Sequence, residues 1–269
     1  MRMLLLAGSA IASLCFSPAI RAACEHILAP PLREISTPGS YCLDANRDQP
    51  IVIRANDVDL DCRGRTLTHR DDEPWANYGV HVDRVSNVTV RNCRLQGWNT
   101  SIALDRPTNV ELINNTIDAD GPAIGVFGDD RPDGAVRLTG NRIFYYNARN
   151  GADTAISVNH TPQPVLTNNI VAGFRGSTSV YLNRSPDAQL TGNQFLDLNE
   201  GGAAAVRIEQ SPRARLVHNT VMLRRGVDGR GLVDADEATC IENVFINTVH
   251  SGLERCVVRR YNVEQISND

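Results

Sequence analysis

A short phrase recurs seven times along this 269-residue chain: an apolar residue, two variable ones, an Asn or Cys, one more variable residue, a second apolar residue. The instances are Val90…Cys93…Leu95, Leu112…Asn115…Ile117, Leu138…Asn141…Ile143, Leu166…Asn169…Val171, Leu190…Asn193…Phe195, Leu216…Asn219…Val221 and Cys240…Asn243…Phe245. Their starts step by 22, 26, 28, 24, 26 and 24 residues. A unit of that length cannot bury its apolar face alone and must stack on its neighbours, so the period predicts a solenoid.

Upstream of each phrase lies a second apolar alternation, as in Val80-His81-Val82, Ile102-Ala103-Leu104, Ile156-Ser157-Val158 and Val206-Arg207-Ile208. A third short strand follows each Asn. Period-two alternation points the flanking residues inward and the middle one outward. Three short strands per repeat predict one coil of a three-sided parallel helix, all-β, with about 7–9 coils stacked at about 4.8 Å. Helices would need apolar residues at i, i+3, i+4 and i+7 over longer runs. A leucine-rich repeat would need further Leu at set offsets, which are missing. The Asn has a physical task. A tight buried turn leaves backbone groups needing partners, and an amide can bond its own turn and the same Asn one coil away. Asn115, Asn141, Asn169, Asn193, Asn219 and Asn243 are therefore expected to form a structural ladder.

Residues 1–23 read as a signal peptide. Arg2 precedes an apolar stretch over 4–16, too short to span a bilayer, and small residues follow, with cleavage expected between 19 and 23. The protein is expected to be exported, periplasmic or secreted, with no transmembrane segment after cleavage. Lipid anchoring at Cys24 ranks second, because Arg21 stands where an apolar residue is usually wanted. Beyond the leader, 24–78 reads as an N-terminal cap and first coil, 79–245 as the repeats and 246–269 as a C-terminal cap. An exported chain with six remaining cysteines implies disulfides. Cys93 takes the ladder position of the first full repeat and Cys62 follows the strand of the coil before, so these two should meet. Cys24–Cys42 and Cys240–Cys256 complete the set. The net charge of −4 gives no basic footprint for nucleic acid. All 27 cationic residues are Arg, so no Lys serves as base or Schiff-base partner.

The stretch Asp57-Val58-Asp59-Leu60-Asp61-Cys62-Arg63-Gly64-Arg65-Thr66-Leu67, followed by Ser86-Asn87-Val88-Thr89-Val90-Arg91-Asn92-Cys93, resembles successive coils of the right-handed parallel β-helix proteins, the pectate-lyase-like superfamily with short β-helix repeats. The likeness covers about residues 40–250. It implies the fold and leaves function open, since that fold hosts lyases, hydrolases, epimerases, adhesive tailspikes and accessory proteins. The motifs of polygalacturonase-like hydrolases are absent apart from an isolated Asp129-Asp130. Lyases with a Lys–Arg pair are excluded without Lys. The Trp-Ile-Asp-His motif of pectate lyases is missing.

In such folds the ligand groove runs along the strand before the Asn turn. Its outward residues here form two rows: His81, Ala103, Gly125, Ser157, Tyr181, Arg207, and Asp83, Asp105, Phe127, Asn159, Asn183, Glu209. Asp83 and Asp105 should be neighbours about 5 Å apart. The repeat after them carries an insertion within 128–133. An active-site reading draws catalytic groups from His81, Asp83, Asp105, His160 and Tyr181, and a calcium site from Asp83, Asp105, Asp129 and Asp130. Arg184, Arg207 and Glu209 would contact substrate, with the two arginines gripping a uronate carboxylate. Tyr145, Tyr146 and Trp98 would stack on sugar rings. The opposing reading is a solvated strand edge with Asp–Arg pairs such as Asp83/Arg106. The sequence slightly favours a binder of polysaccharide or cell-envelope glycan without catalysis. The alternative is a lyase or hydrolase acting on acidic polysaccharide. Clustering of Asp83, Asp105 and Asp129 with His81 or His160 in one cleft would favour catalysis; acids each tied to Arg would favour binding.

Overall fold

The computed structural model describes residues 24–69, 77–146, 152–198, 204–226, 228–235 and 237–266. Residues 1–23, on which the signal-peptide expectation falls, the middle of the loop after Tyr146 and the Gly201-Gly202 loop lie outside these residues. Each coil visits three faces in turn, as in Tyr78–Asp83, Ser86–Arg91 and Arg94–Gln96. Among the described residues the faces are sheets of 9, 11 and 9 strands. Their pairings are parallel and run from coil to coil. The result is a right-handed parallel β-helix; the repeat predicts the three-sided parallel coil and the resemblance implies its hand.

The repeated phrase maps onto two inward columns. On the second face Leu60, Val90, Leu112, Leu138, Leu166, Leu190, Leu216 and Cys240 stand in register. On the third face Leu67, Leu95, Ile117, Ile143, Val171, Phe195, Val221 and Phe245 do the same. All of these are buried. Burying one such side chain contributes about 1.5–3 kcal/mol, so the columns supply much of the drive for stacking.

The Asn ladder runs between the second and third faces. Asn141 donates through Nδ2 to the Leu112 carbonyl (2.9 Å) and to Asn169 Oδ1 (2.9 Å), while its own Oδ1 accepts from the Asn115 backbone amide (3.1 Å). The pattern repeats at Asn169, Asn193 and Asn219. At the start, Asn115 Oδ1 receives the Cys93 amide (3.0 Å). The ladder extends one rung further than expected, because Asn243 Nδ2 donates to Asn262 Oδ1 (3.0 Å). Asn262 escapes the sequence pattern for a clear reason. Arg259 and Glu264 occupy the positions that pair with Cys240 and Phe245, where the phrase demands apolar residues. Both are exposed. Among the described residues nothing stacks on this coil, and its polar residues suit an uncovered solenoid end.

The three disulfides join the expected pairs, with Cα separations of 5.8 Å for Cys24–Cys42, 4.7 Å for Cys62–Cys93 and 6.0 Å for Cys240–Cys256. Cys62–Cys93 links adjacent coils at the ladder turn, replacing an amide rung by a covalent one.

Candidate functional site

The first face carries the outward rows in the predicted register. His81 pairs with Ala103, Ala103 with Gly125, Gly125 with Ser157, Ser157 with Tyr181 and Tyr181 with Arg207. Asp83 pairs with Asp105, and the row continues through Phe127, Asn159 and Asn183 to Glu209. Two charged groups lie along this face, separated by neutral coils.

The first group is a chain of alternating charge. Arg54 joins Glu34 (2.9 Å) and Asp83 (3.2 Å). Arg84 then lies 3.2 Å from Asp105 and 3.8 Å from Asp83. The side chain of Arg84 thus reaches one coil onward, and the cation between the two acids is Arg84 instead of the expected Arg106. Among the described residues Arg106 has no acidic partner. His81 stands beside this chain, its ring 4.9 Å from that of Tyr78. Burial holds the imidazole below its ordinary range; Asp83 and Asp105 oppose that shift, and Arg54 and Arg84 reinforce it. Ligand atoms of His81, Asp83 and Asp105 lie within 4.8 Å of one another.

The second group lies four to five coils away, about 20 Å along the stack. The Tyr181 hydroxyl donates to Glu209 (2.9 Å). Arg207 contacts Asp234 (2.9 Å) and Glu209 (3.3 Å), with its guanidinium 5.7 Å from the Tyr181 ring centre. Desolvation, then the bond to Glu209, pushes the Tyr181 phenol up. Arg184 donates to Gln210 (2.9 Å). Between the groups, Phe127 is 47% exposed, and its ring lies over Gly125, where a Cβ would come within 3.0 Å of it. Sequence reasoning placed Phe127 in the row without assigning it a role. The signal was an aromatic at an outward position beside a residue with no side chain.

The other expected residues separate. Asp129 is held by Arg131 (2.9 Å) and Asp130 by His160 (2.9 Å), both within the inserted segment and the turn it contacts. They do not join the group of potential ligands around His81. His160 lies three coils from His81, about 14 Å along the stack. Tyr145 corrects the expectation of a surface ring. It is 4% exposed, its hydroxyl donates to the Gly121 carbonyl (3.0 Å), and its ring packs edge-on against Phe174. Alternation explains this: Ile143 and Tyr145 face in, Phe144 and Tyr146 face out. Tyr146 is exposed and stacks on Phe144. Trp98 is likewise buried, its indole N–H bonded to the Leu67 carbonyl (3.0 Å).

The fold has known counterparts. The structure of the Streptococcus pneumoniae surface protein and adhesin PfbA is similar with a TM-score of 0.50 and 12% identity, over 86% of this chain and 89% of that one. A second structure of PfbA, a surface adhesin of the same organism, gives 0.48 and 11%, over 86% and 82%. At such identities the likeness is one of fold. No curated protein matches the chain. Residues 78–245, more than half of the chain, match the model of the right handed beta helix region, and the chain belongs to that family.

Proposed function

We propose that this is an exported protein that binds a polysaccharide or cell-envelope glycan along the first face, without catalysis. The observation that carries this reading is the engagement of the acids. Asp83 and Asp105 are tied to arginines, Asp129 to Arg131, Asp130 to His160, and Glu209 to Tyr181 and Arg207. Glycosidases need two carboxyls facing one bond across about 5–9 Å, one of them protonated. Here Asp83 and Asp105 are bridged by Arg84 instead of facing each other across an open space. Exposed Phe127, flanked by Asp105 and Asn159 in its row, offers a ring face and polar groups of the kind that hold a sugar. Export is supported by three disulfides together with the leader read from the sequence. A surface location is an extension of that reading, in keeping with a similar fold in a surface adhesin.

The His81, Asp83 and Asp105 group favours a second reading, metal-assisted chemistry. A nitrogen and two carboxylates suit a divalent transition ion. Calcium, which takes six to eight oxygens, finds few here, and Asp129 and Asp130 are committed elsewhere. Any ion would also have to displace Arg54 and Arg84. One experiment separates the readings: a glycan panel scored for binding, for new reducing ends and for unsaturated-product absorbance, with chelator, calcium, zinc or manganese. Binding without product supports the first reading. Metal-dependent product that is lost in His81→Ala replaces it with the second. Silence in every channel sinks both.

A further inference from the structure

The insertion at 128–133 leaves the first face at Gly128, whose amide still bonds the Asn159 carbonyl (2.8 Å). It forms one side of a depression on the adjoining turn, lined among others by Arg84 and Ser86, Arg106 and Thr108, and Arg131 and Asp133. These pairs come from three successive coils, so the depression runs along the stack for about 10 Å. The insertion is firmly seated. Its Asp130 amide donates to the His160 carbonyl (2.9 Å) and its Gly134 amide to Arg131 (3.1 Å). A Cβ on Gly128 would meet the His160 carbonyl at 2.1 Å, so this close approach requires glycine. Coils without the insertion lack this wall.

The three guanidinium groups are only partly used. Arg91, on the second face, grips Asp59 through both Nε and Nη2, at 2.9 and 3.0 Å. Arg84 donates to Asp105 through Nε at 3.2 Å, and Arg131 approaches Asp129 to 2.9 Å. A guanidinium carries five N–H donors, more than one carboxylate takes up, and Arg106 has no acid partner among the described residues. One carboxylate is satisfied by a single guanidinium fork. A sulfate or phosphate ester presents three oxygens in a pyramid and can take donors from three sides. Asp133 is the opposing charge.

We infer that this depression binds a tetrahedral oxyanion, a sulfate or phosphate ester carried on a glycan chain. The inference rests on the glycan-binding reading and names the chemistry of its ligand. The test uses one polymer backbone in four forms: dextran, carboxymethyl dextran, dextran sulfate and dextran phosphate, titrated at fixed ionic strength. The sulfate and phosphate arms distinguish the two sources of the oxyanion. Arg106→Ala should weaken the ester-bearing polymer about tenfold or more, and Arg131→Ala should weaken it as well. Asp133→Asn should tighten it roughly threefold. Arg142→Ala, an exposed arginine on the third face, should leave it unchanged. Arg106 makes no ion pair that folding needs, and an unchanged thermal midpoint checks this. The inference is overturned if Arg106→Ala binds like the parent, if Arg142→Ala loses as much, or if carboxymethyl dextran binds as tightly as the esters. Should the esters fail while another glycan in the wider panel binds, this inference falls and the glycan-binding reading stands; if nothing binds, both fall.

Discussion

Two turns of each coil share a backbone device and differ in what they enclose. Between the second and third faces, Asn114, Asn168 and His218 have φ of 53°, 54° and 56°. Between the first and second faces, Arg84, Arg106, His160 and Arg184 have φ of 57°, 46°, 52° and 48°. The left-handed conformation costs about 1–2 kcal/mol per residue outside glycine. In both turns bonds between coils offset it, such as Asn114 to Thr139 (2.9 Å) and Arg84 to Asp105 (2.8 Å). The residue that follows points in. At the ladder turn it is an Asn in coil after coil; at the other turn it is Val85, Pro107, Thr161 or Ser185. The amide ladder makes one turn uniform. The other turn, closed by small or apolar groups, leaves its outward residues free to carry charge, and the depression with three arginines lies there. Regularity marks structure in this molecule, and its loss marks the places where binding is possible.

Breaking the ladder tests that contrast most severely. Asn169→Ala removes the acceptor of the Asn141 amide and the donor to the Leu138 carbonyl, leaving buried polar groups unmatched. It should cost about 3–5 kcal/mol. Ser185→Ala at the other turn removes a hydroxyl bonded to the Val158 and Asn183 carbonyls and should cost about 1 kcal/mol. Urea unfolding of the two variants measures both, and equal losses would erase the distinction between the turns. Replacing Cys62 and Cys93 together by Ala removes the covalent rung. With a sequence separation of 31, the loss should be about 3–4 kcal/mol, read by the same unfolding curves. A loss near zero would mean that stacking alone sets that turn.

The smallest effect concerns His81. Its folded-state pKa lies below the ordinary 6.5 because burial disfavours the cation. The unfolded chain therefore binds the proton more readily. The contribution of His81 to stability is fully present above about pH 6.5 and is lost as pH falls through the folded value. Arg84→Ala removes a cation that lowers this pKa, so the titration should move upward, with little change in stability because the pair is exposed. An NMR titration of the His81 ring follows it. A midpoint at or above 6.5 in the parent protein would contradict the assignment.

Much of the architecture was legible because stacked coils translate sequence spacing directly into register. The rows from His81 to Arg207 and from Asp83 to Glu209, the Cys62–Cys93 pair and the ladder from Asn115 to Asn243 all follow from counting. Legibility failed where counting stops. Asn262 lost its apolar neighbours because the final coil is a cap. Tyr145 follows the parity of the strand Arg142–Phe144 before it and turns inward, away from any sugar. Asp129 and Asp130 looked like partners for Asp105 in one dimension, but the insertion folds toward His160.

By itself the sequence determined the repeat, the inward columns and the residues each face would present, since a period of two within strands and 22–28 between phrases admits one stacking. Only the tertiary structure decided which charges meet. Arginine side chains are long enough to reach the next coil, and Arg84 does so while, among the described residues, Arg106 remains without an acid. An insertion has no register to inherit, so its course is set by what it packs against.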